Sequence, residues 1–265
     1  MPIVDIHVHI YPDKIALRAA ESIGDFYNIS MQEENGSVEV LLHELAKTPI
    51  THCVVHSVAT KPKNVESINT FIAATCAEHP NFIGFMTMHQ DYENPEAEIE
   101  RAMSLGLRGI KLHPDTQGVN LDDPRLMPVY EIAQAKHLPI IFHTGDYRYE
   151  YSRPERLKRV LAAFPDLVVN AAHFGGWSIY DYAFEMLEHE RCFVDMSSSM
   201  AYLGPRRTRE LCEGYGFDRV LFGTDFPMWN PVTEFEKFKA LGFTDEQWEA
   251  MTWHNAERFL GMKIE

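Results

Sequence analysis

The chain has 265 residues, 45% of them hydrophobic and 24% charged, enough for one large globular core. Its 39 acidic residues against 24 Lys and Arg give a formal charge of −15, a field that repels polyanions and argues against nucleic acid as a partner. A small anionic substrate stays open, because it answers to the local field of its pocket.

Eight short runs rich in Val, Ile, Leu and Phe read as strands: Ile3–Ile10, Thr51–Ser57, Phe82–Met88, Leu107–His113, Leu138–His143, Leu167–His173, Cys192–Ser197 and Val220–Asp225. Helical periodicity falls between them, as in Val65–Glu78, Pro95–Leu105, Arg125–Lys136 and Pro154–Phe164. Strands alternating with helices predict parallel βαβ units, and continuous apolar strands predict a sheet covered on both faces. Eight units in about 250 residues point to a (β/α)8 TIM barrel, one α/β domain over residues 1–265. One connection is long. Residues 11–49 follow strand 1, at the catalytic mouth of a barrel, and are either a lid or a helix with an irregular loop. The segment Asp245–Leu260 predicts a closing amphipathic helix stopped by Gly261.

No apolar run reaches 18 residues, so no membrane span is expected. The start, MPIVDIHVHI, lacks the basic leader of a signal peptide. The scattered cysteines Cys53, Cys76, Cys192 and Cys212 read as reduced thiols of a cytoplasmic protein.

Alternation along strand 1 sends Asp5, His7 and His9 to one face and Val4, Ile6, Val8 and Ile10 to the other, against the helices. Imidazoles two residues apart on a strand can reach one cation. His143, His173 and Asp225 end strands 5, 6 and 8, where barrel enzymes place their active sites. Three imidazoles and a carboxylate suit a divalent metal, zinc first, then iron or manganese. Lys111 and His113 share an inward parity on strand 4 and are candidates for substrate binding. Arg148, after strand 5, suits a substrate carboxylate or an ion pair with acidic neighbours. Trp177, Tyr202 and Trp229 are either a wall for a substrate ring or packing between loops. His56 ends strand 2 and is singled out among the remaining histidines.

Asp5-x-His7-x-His9, with His143, His173 and Asp225 on strands 5, 6 and 8, resembles the amidohydrolase superfamily. Gly109-Ile-Lys-Leu-His-Pro114, Phe142-His-Thr-Gly145, Ala172-His-Phe-Gly-Gly176 and Gly223-Thr-Asp-Phe-Pro227 resemble its amidohydrolase-related branch, which includes relatives of aminocarboxymuconate-semialdehyde decarboxylase. The resemblance covers essentially the whole chain. It implies His7, His9 and Asp225 as metal ligands, with His143 on the same or a second metal. His173 is then a second-metal ligand or a general acid/base. One ion is expected; a carboxylated Lys111 would bridge two.

The resemblance implies a hydrolase of a small, carboxylate-bearing ester, lactone or amide, with Asp225 accepting a proton from water that a cation has made acidic. The alternative is a metal-dependent nonoxidative decarboxylase of a small unsaturated or aromatic acid. An intact ligand set argues against a barrel kept only for binding. Related deoxyribonucleases share the His-x-His start but carry an acid after strand 4, where this chain has Lys111. A homo-oligomer is expected from the habit of such barrels.

Overall fold

A computed structural model describes residues 1–265. The strands are β1 (Val4–His9), β2 (His52–His56), β3 (Phe82–Thr87), β4 (Gly109–Leu112), β5 (Ile140–Phe142), β6 (Val169–Ala171), β7 (Phe193–Asp195) and β8 (Val220–Leu221). All neighbours pair in parallel, in the order β1 to β8. Backbone bonds shut the seam: Ile6 N–H donates to Phe222 O at 3.0 Å, Asp225 N–H to His7 O at 2.8 Å and His9 N–H to Phe226 O at 2.8 Å. The architecture is the expected (β/α)8 barrel.

The core has two compartments. Outward strand residues such as Val55, Met86, Leu112 and Phe142 join the helices in one large cluster. Inward residues Val4, Ile6, Val54, Ile83, Phe85, Ile141 and Leu221 form a smaller one with Ala256, Phe259, Leu260 and Ile264. The C-terminal segment thus plugs one end of the barrel with apolar side chains. The polar inward residues are left to the other end.

Strict alternation fails on β1. The register with β2 shifts between Asp5 and Val8, so β1 carries a bulge there. The extra residue lets Val4 and Ile6 join the inner plug while His7 and His9 still reach the cavity, where the sequence pattern sends Val4 and Ile6 toward the helices. Bulges re-aim side chains at barrel rims in this way.

Several strands end earlier than their apolar runs. β8 stops at Leu221, and Asp225 lies four residues beyond it in a loop. His143 and His173 likewise follow β5 and β6, by one and two residues. The apolar character continues because Phe222 and Phe226 remain fully packed, not because the ladder does. The closing helix is also interrupted, with a π-helical turn over Ala250–His254 between Asp245–Glu249 and Asn255–Leu260. Gly261 ends it in the left-handed region at φ 64°.

Residues 11–49 hold two helices. Val38–Leu45, capped by Ser37, packs against the helix Pro231–Ala240 as an ordinary barrel helix. Asp13–Tyr27 is the extra element, and its side chains face the barrel mouth. The loop behind it is tied to the segment after β8: Gln32 N–H donates to Met228 O at 3.0 Å and Glu33 N–H to Pro227 O at 3.1 Å. Gly36 permits this approach, since a Cβ there would stand 2.7 Å from the Tyr11 ring and 3.0 Å from Pro227.

Candidate active site

The open end of the barrel encloses a cavity of about 410 Å³ whose lining includes His7, His9, His113, His143, His173 and Asp225. Asp225 stands beside both imidazoles of β1. Its Oδ1 is 3.5 Å from both His7 Nε2 and His9 Nε2, while its Oδ2 accepts from Ser198 Oγ at 2.5 Å. Asp225 and His173 both have positive φ, 65° and 58°, a conformation costly for residues with a Cβ and typical of functional loops.

Asp195, the last residue of β7, organises the floor. Its Oδ2 accepts from His7 Nδ1 at 3.0 Å and from Asn170 Nδ2 at 2.7 Å. Its Oδ1 accepts from the backbone of His173 and Ser197, at 3.1 Å each. The His7 proton therefore sits on Nδ1, and the Nε2 lone pair faces the cavity, where Lys111 Nζ approaches to 2.8 Å. The same logic orients the other rings. His173 Nδ1 donates to Ser197 O at 2.9 Å and His143 Nε2 to Gly145 O at 3.1 Å. This leaves His173 Nε2 and His143 Nδ1 facing each other at 3.1 Å as bare lone pairs.

Burial sets the charge states. Desolvation holds His7, His9, His113 and His143 well below the ordinary imidazole value, and His173 at about 4. All are neutral donors at physiological pH. Desolvation pushes Asp225 up to about 7, against the Ser198 hydroxyl and Lys111, which favour its charged form. Lys111, fully buried, is lowered to about 8 by desolvation, partly offset by Asp225 and Asp195. Asp5 is likewise buried, and accepts from Thr224 N at 3.0 Å and Thr224 Oγ1 at 2.6 Å, tying β1 to the loop that carries Asp225.

These residues fit a divalent cation. Converging neutral imidazole lone pairs beside a carboxylate, with the outer ring nitrogen bonded to a carboxylate or a carbonyl, are the donor chemistry such ions take. One donor atom each from His7, His173 and Asp225 lies within 4.8 Å of the others. His143 falls instead into a second such group with His113 and Asp115.

The mouth is roofed by the helix Asp13–Tyr27, which contributes Ile15, Ala19, Ile23, Phe26 and Tyr27 to the cavity wall. Tyr27 Oη lies 2.8 Å from His113 Nε2, and the His113 ring stacks on His143 with centroids 3.9 Å apart. Arg148 does not line the cavity. Its guanidinium is taken up by Asp146, at 2.6 and 2.9 Å, and by the Phe26 carbonyl at 2.5 Å. It spans the rings of Phe26, Tyr27, Tyr149 and Trp177, so it fastens the roof. The other mouth arginines are also paired, Arg153 with Glu155 and Arg207 with Asp181 and Glu210. Trp177, Tyr202 and Trp229 pack edge to face in series, with Tyr202 on the helix Met200–Tyr215 between the two loop tryptophans.

Sequence reasoning missed Asp195 and Asp115. The available signal for Asp195 was a carboxylate at the inward position of an otherwise apolar strand. Asp115, just after His113, accepts from Ser152 Oγ at 2.6 Å and lies 3.5 Å from His143 Nε2. Nothing in its local sequence distinguishes it from a surface helix start.

A family model described as amidohydrolase matches residues 4–262. Among solved structures, the chain is similar to an uncharacterized TIM-barrel protein from Bordetella bronchiseptica (22% identity, TM-score 0.80, covering 98% of this chain and 99% of that one). It is similar to a dihydroxybenzoic acid decarboxylase from Polaromonas sp. JS666 with bound manganese and the inhibitor 2-nitroresorcinol (16%, 0.72, covering 98% and 97%). It is also similar to a candidate 2-pyrone-4,6-dicarboxylic acid hydrolase from Pseudomonas putida (19%, 0.69, covering 100% and 99%). At these identities the neighbours speak for the fold, and the match over nearly the whole length places the chain in the amidohydrolase family.

Proposed function

We propose that the chain is a metal-dependent hydrolase of a small ester, lactone or amide that bears one carboxylate. The observation that carries this is Asp225, whose Oδ1 stands 3.5 Å from the Nε2 atoms of both His7 and His9 on the cavity floor. One carboxylate is thereby placed to help hold a cation and to accept a proton beside it. When bound, a divalent cation supplies Lewis acidity and brings the pKa of water down to about 7. Asp225 takes the proton released as water attacks the carbonyl. Asp225 then returns that proton to the leaving group, while the lone pairs on His143 Nδ1 and His173 Nε2 accept hydrogen bonds from the substrate. Lys111, buried beneath His7 and outside the cavity wall, adds positive charge under the floor, which favours a carboxylate in the cavity above it.

The wall defines the rest of the substrate. No arginine or lysine lines the cavity, and the roof is apolar. A second anionic group would lose its hydration there without a partner, so the substrate body is a ring or short apolar chain. The same wall favours one other reading. An apolar roof suits loss of CO₂ from an aromatic or unsaturated acid, the chemistry named for the manganese-bound neighbour.

The test separates the two. Chain reconstituted with Zn²⁺ or Mn²⁺ is offered aromatic and unsaturated monocarboxylates alongside lactones and esters of similar size, and released acid and CO₂ are measured. Acid release without CO₂ is expected, with kcat falling about 10²–10⁴-fold in Asp225→Asn. CO₂ as the product overturns hydrolysis in favour of decarboxylation.

A further inference from the structure

The roof helix Asp13–Tyr27 carries two adjacent stripes with different surroundings. Ala16, Ala20, Gly24 and Tyr27 are buried and seat the helix on the protein. Apart from Tyr27 this seam is made of small residues, and the approach is close: a Cβ on Gly24 would stand 3.0 Å from Ile29 O and 3.3 Å from Met31 Cγ. The larger apolar side chains lie one position earlier in each turn. Ile15 and Ile23, with Ala19 between them, line the cavity, and Ile15 is 49% exposed. A helix that served packing alone would turn its isoleucines into the core. Here alanine and glycine are buried, and the isoleucines face a space.

That space is larger than a single ring needs. A cavity of about 150 Å³ accommodates benzene, and this one holds about 410 Å³. The i, i+4, i+8 spacing of Ile15, Ala19 and Ile23 carries the apolar stripe about 12 Å along the roof. Val58, after β2, and Ile68, on the helix Val65–Glu78, add further aliphatic wall. The lining passes from the buried histidines and Asp225 to an exposed rim at Ile15, Ser22 and Thr60. Asp225 is its one acidic side chain, and no lysine or arginine joins it.

We propose that the substrate carries an unbranched alkyl chain, which lies along Ile15, Ala19 and Ile23 and against Val58 and Ile68 while its carbonyl sits at the histidine floor. The inference rests on the hydrolytic reading above for the reacting group, and it decides between the ring and the chain which that reading leaves open. Each methylene moved from water onto this wall adds binding. Ala19 sets the room for the chain, since its single methyl between two isoleucines leaves a slot that a larger side chain would close. A chain long enough to reach the rim meets water at Ser22 and Thr60.

The experiment measures binding of n-hexanol, n-heptanol and n-octanol to the full chain by titration calorimetry, chelated and zinc-loaded, with benzyl alcohol as the single-ring probe. Affinity is expected to rise about fourfold with each added methylene, and benzyl alcohol to bind more weakly than n-octanol. Ala19→Phe fills the slot and Ile15→Asp places a charge at its edge. Neither position is buried, so both variants are expected to melt as wild type does while n-octanol Kd rises at least tenfold. Leu17→Ala, on the exposed face of the same helix and off the cavity wall, should leave Kd unchanged. Affinity indifferent to chain length, benzyl alcohol binding as tightly as n-octanol, or n-octanol binding unchanged in both slot variants each overturn the proposal. Binding lost equally in Leu17→Ala also overturns it, since that marks association with the outer surface. The alcohols need neither cation nor chemistry, so these failures leave the hydrolytic reading standing. A chain that shows the length dependence yet hydrolyses no ester overturns that reading and keeps the slot.

Discussion

The Asp195 carboxylate decides which nitrogen of His7 faces the cavity. By accepting the Nδ1 proton at 3.0 Å it fixes the tautomer, and by accepting from the His173 backbone it sets the loop on which the second imidazole rides. Carboxylate partners of this kind are worth about 10–100-fold in metal affinity or activity. Asp195→Asn preserves shape and removes the charge, so zinc affinity is expected to fall within that range while the chain stays folded. Competitive zinc titration checks it; an affinity equal to wild type would show that His7 is oriented by packing alone. At this scale the sequence was informative where spacing carries chemistry. His7, His9, His143, His173 and Asp225, which line one cavity, could be picked out because each falls within a strand or shortly after one in a phrase of its own. Asp195 was not, because its importance lies in partners far along the chain, with 188 residues separating it from His7.

At the scale of elements, the helix Asp13–Tyr27 acts as the roof and Arg148 as its fastening. The sequence left residues 11–49 divided between lid and plain helix. The structure contains both, a roof helix and then the ordinary barrel helix Val38–Leu45. Composition could not separate them, because both are amphipathic and only the contacts tell which face meets a cavity. Arg148→Ala leaves the Asp146 carboxylate, itself fully buried, without its partner. Breaking such a half-buried pair is expected to cost about 2–3 kcal/mol, below the fully buried range because the guanidinium is 24% exposed. For a chain of this size that is a melting shift of roughly 4–10 °C. Because Arg148 also holds the Phe26 carbonyl, hydrogen exchange should rise over residues 13–27 more than over β1 to β8. Exchange that rises evenly along the chain would count against a fastening role. Strand bounds show the same division: hydrophobic runs located all eight strands, but β5, β6 and β8 stop short of them. The residues beyond are still packed as core, and sequence cannot tell burial by packing from burial by pairing.

For the whole molecule, the cost of assembling this site is written in its pH dependence. Six histidines, His7, His9, His56, His113, His143 and His173, are held below their ordinary value of 6.5 by burial, His173 at about 4. In the unfolded chain each takes a proton as pH falls through about 6.5, and in the folded chain it does not, so acidification favours unfolding. Three buried carboxyls, Asp5, Asp115 and Asp225, oppose this. Burial raises each to about 7, so their contribution is full below the unfolded value near 3.8 and is lost as pH rises through about 7. The histidines outnumber the carboxyls, so the chelated chain is expected to melt at successively lower temperature at pH 7, 6 and 5. Bound zinc steepens the dependence, because protons compete for the same lone pairs. The zinc-loaded curve should lie above the chelated one at pH 7 and merge with it near pH 5. A chelated melting temperature that is flat or rises on acidification would mean that the folded chain carries these imidazoles protonated. A protonated imidazole has no lone pair to offer on the nitrogen facing the cavity, and the metal centre argued from these rings would fail with it.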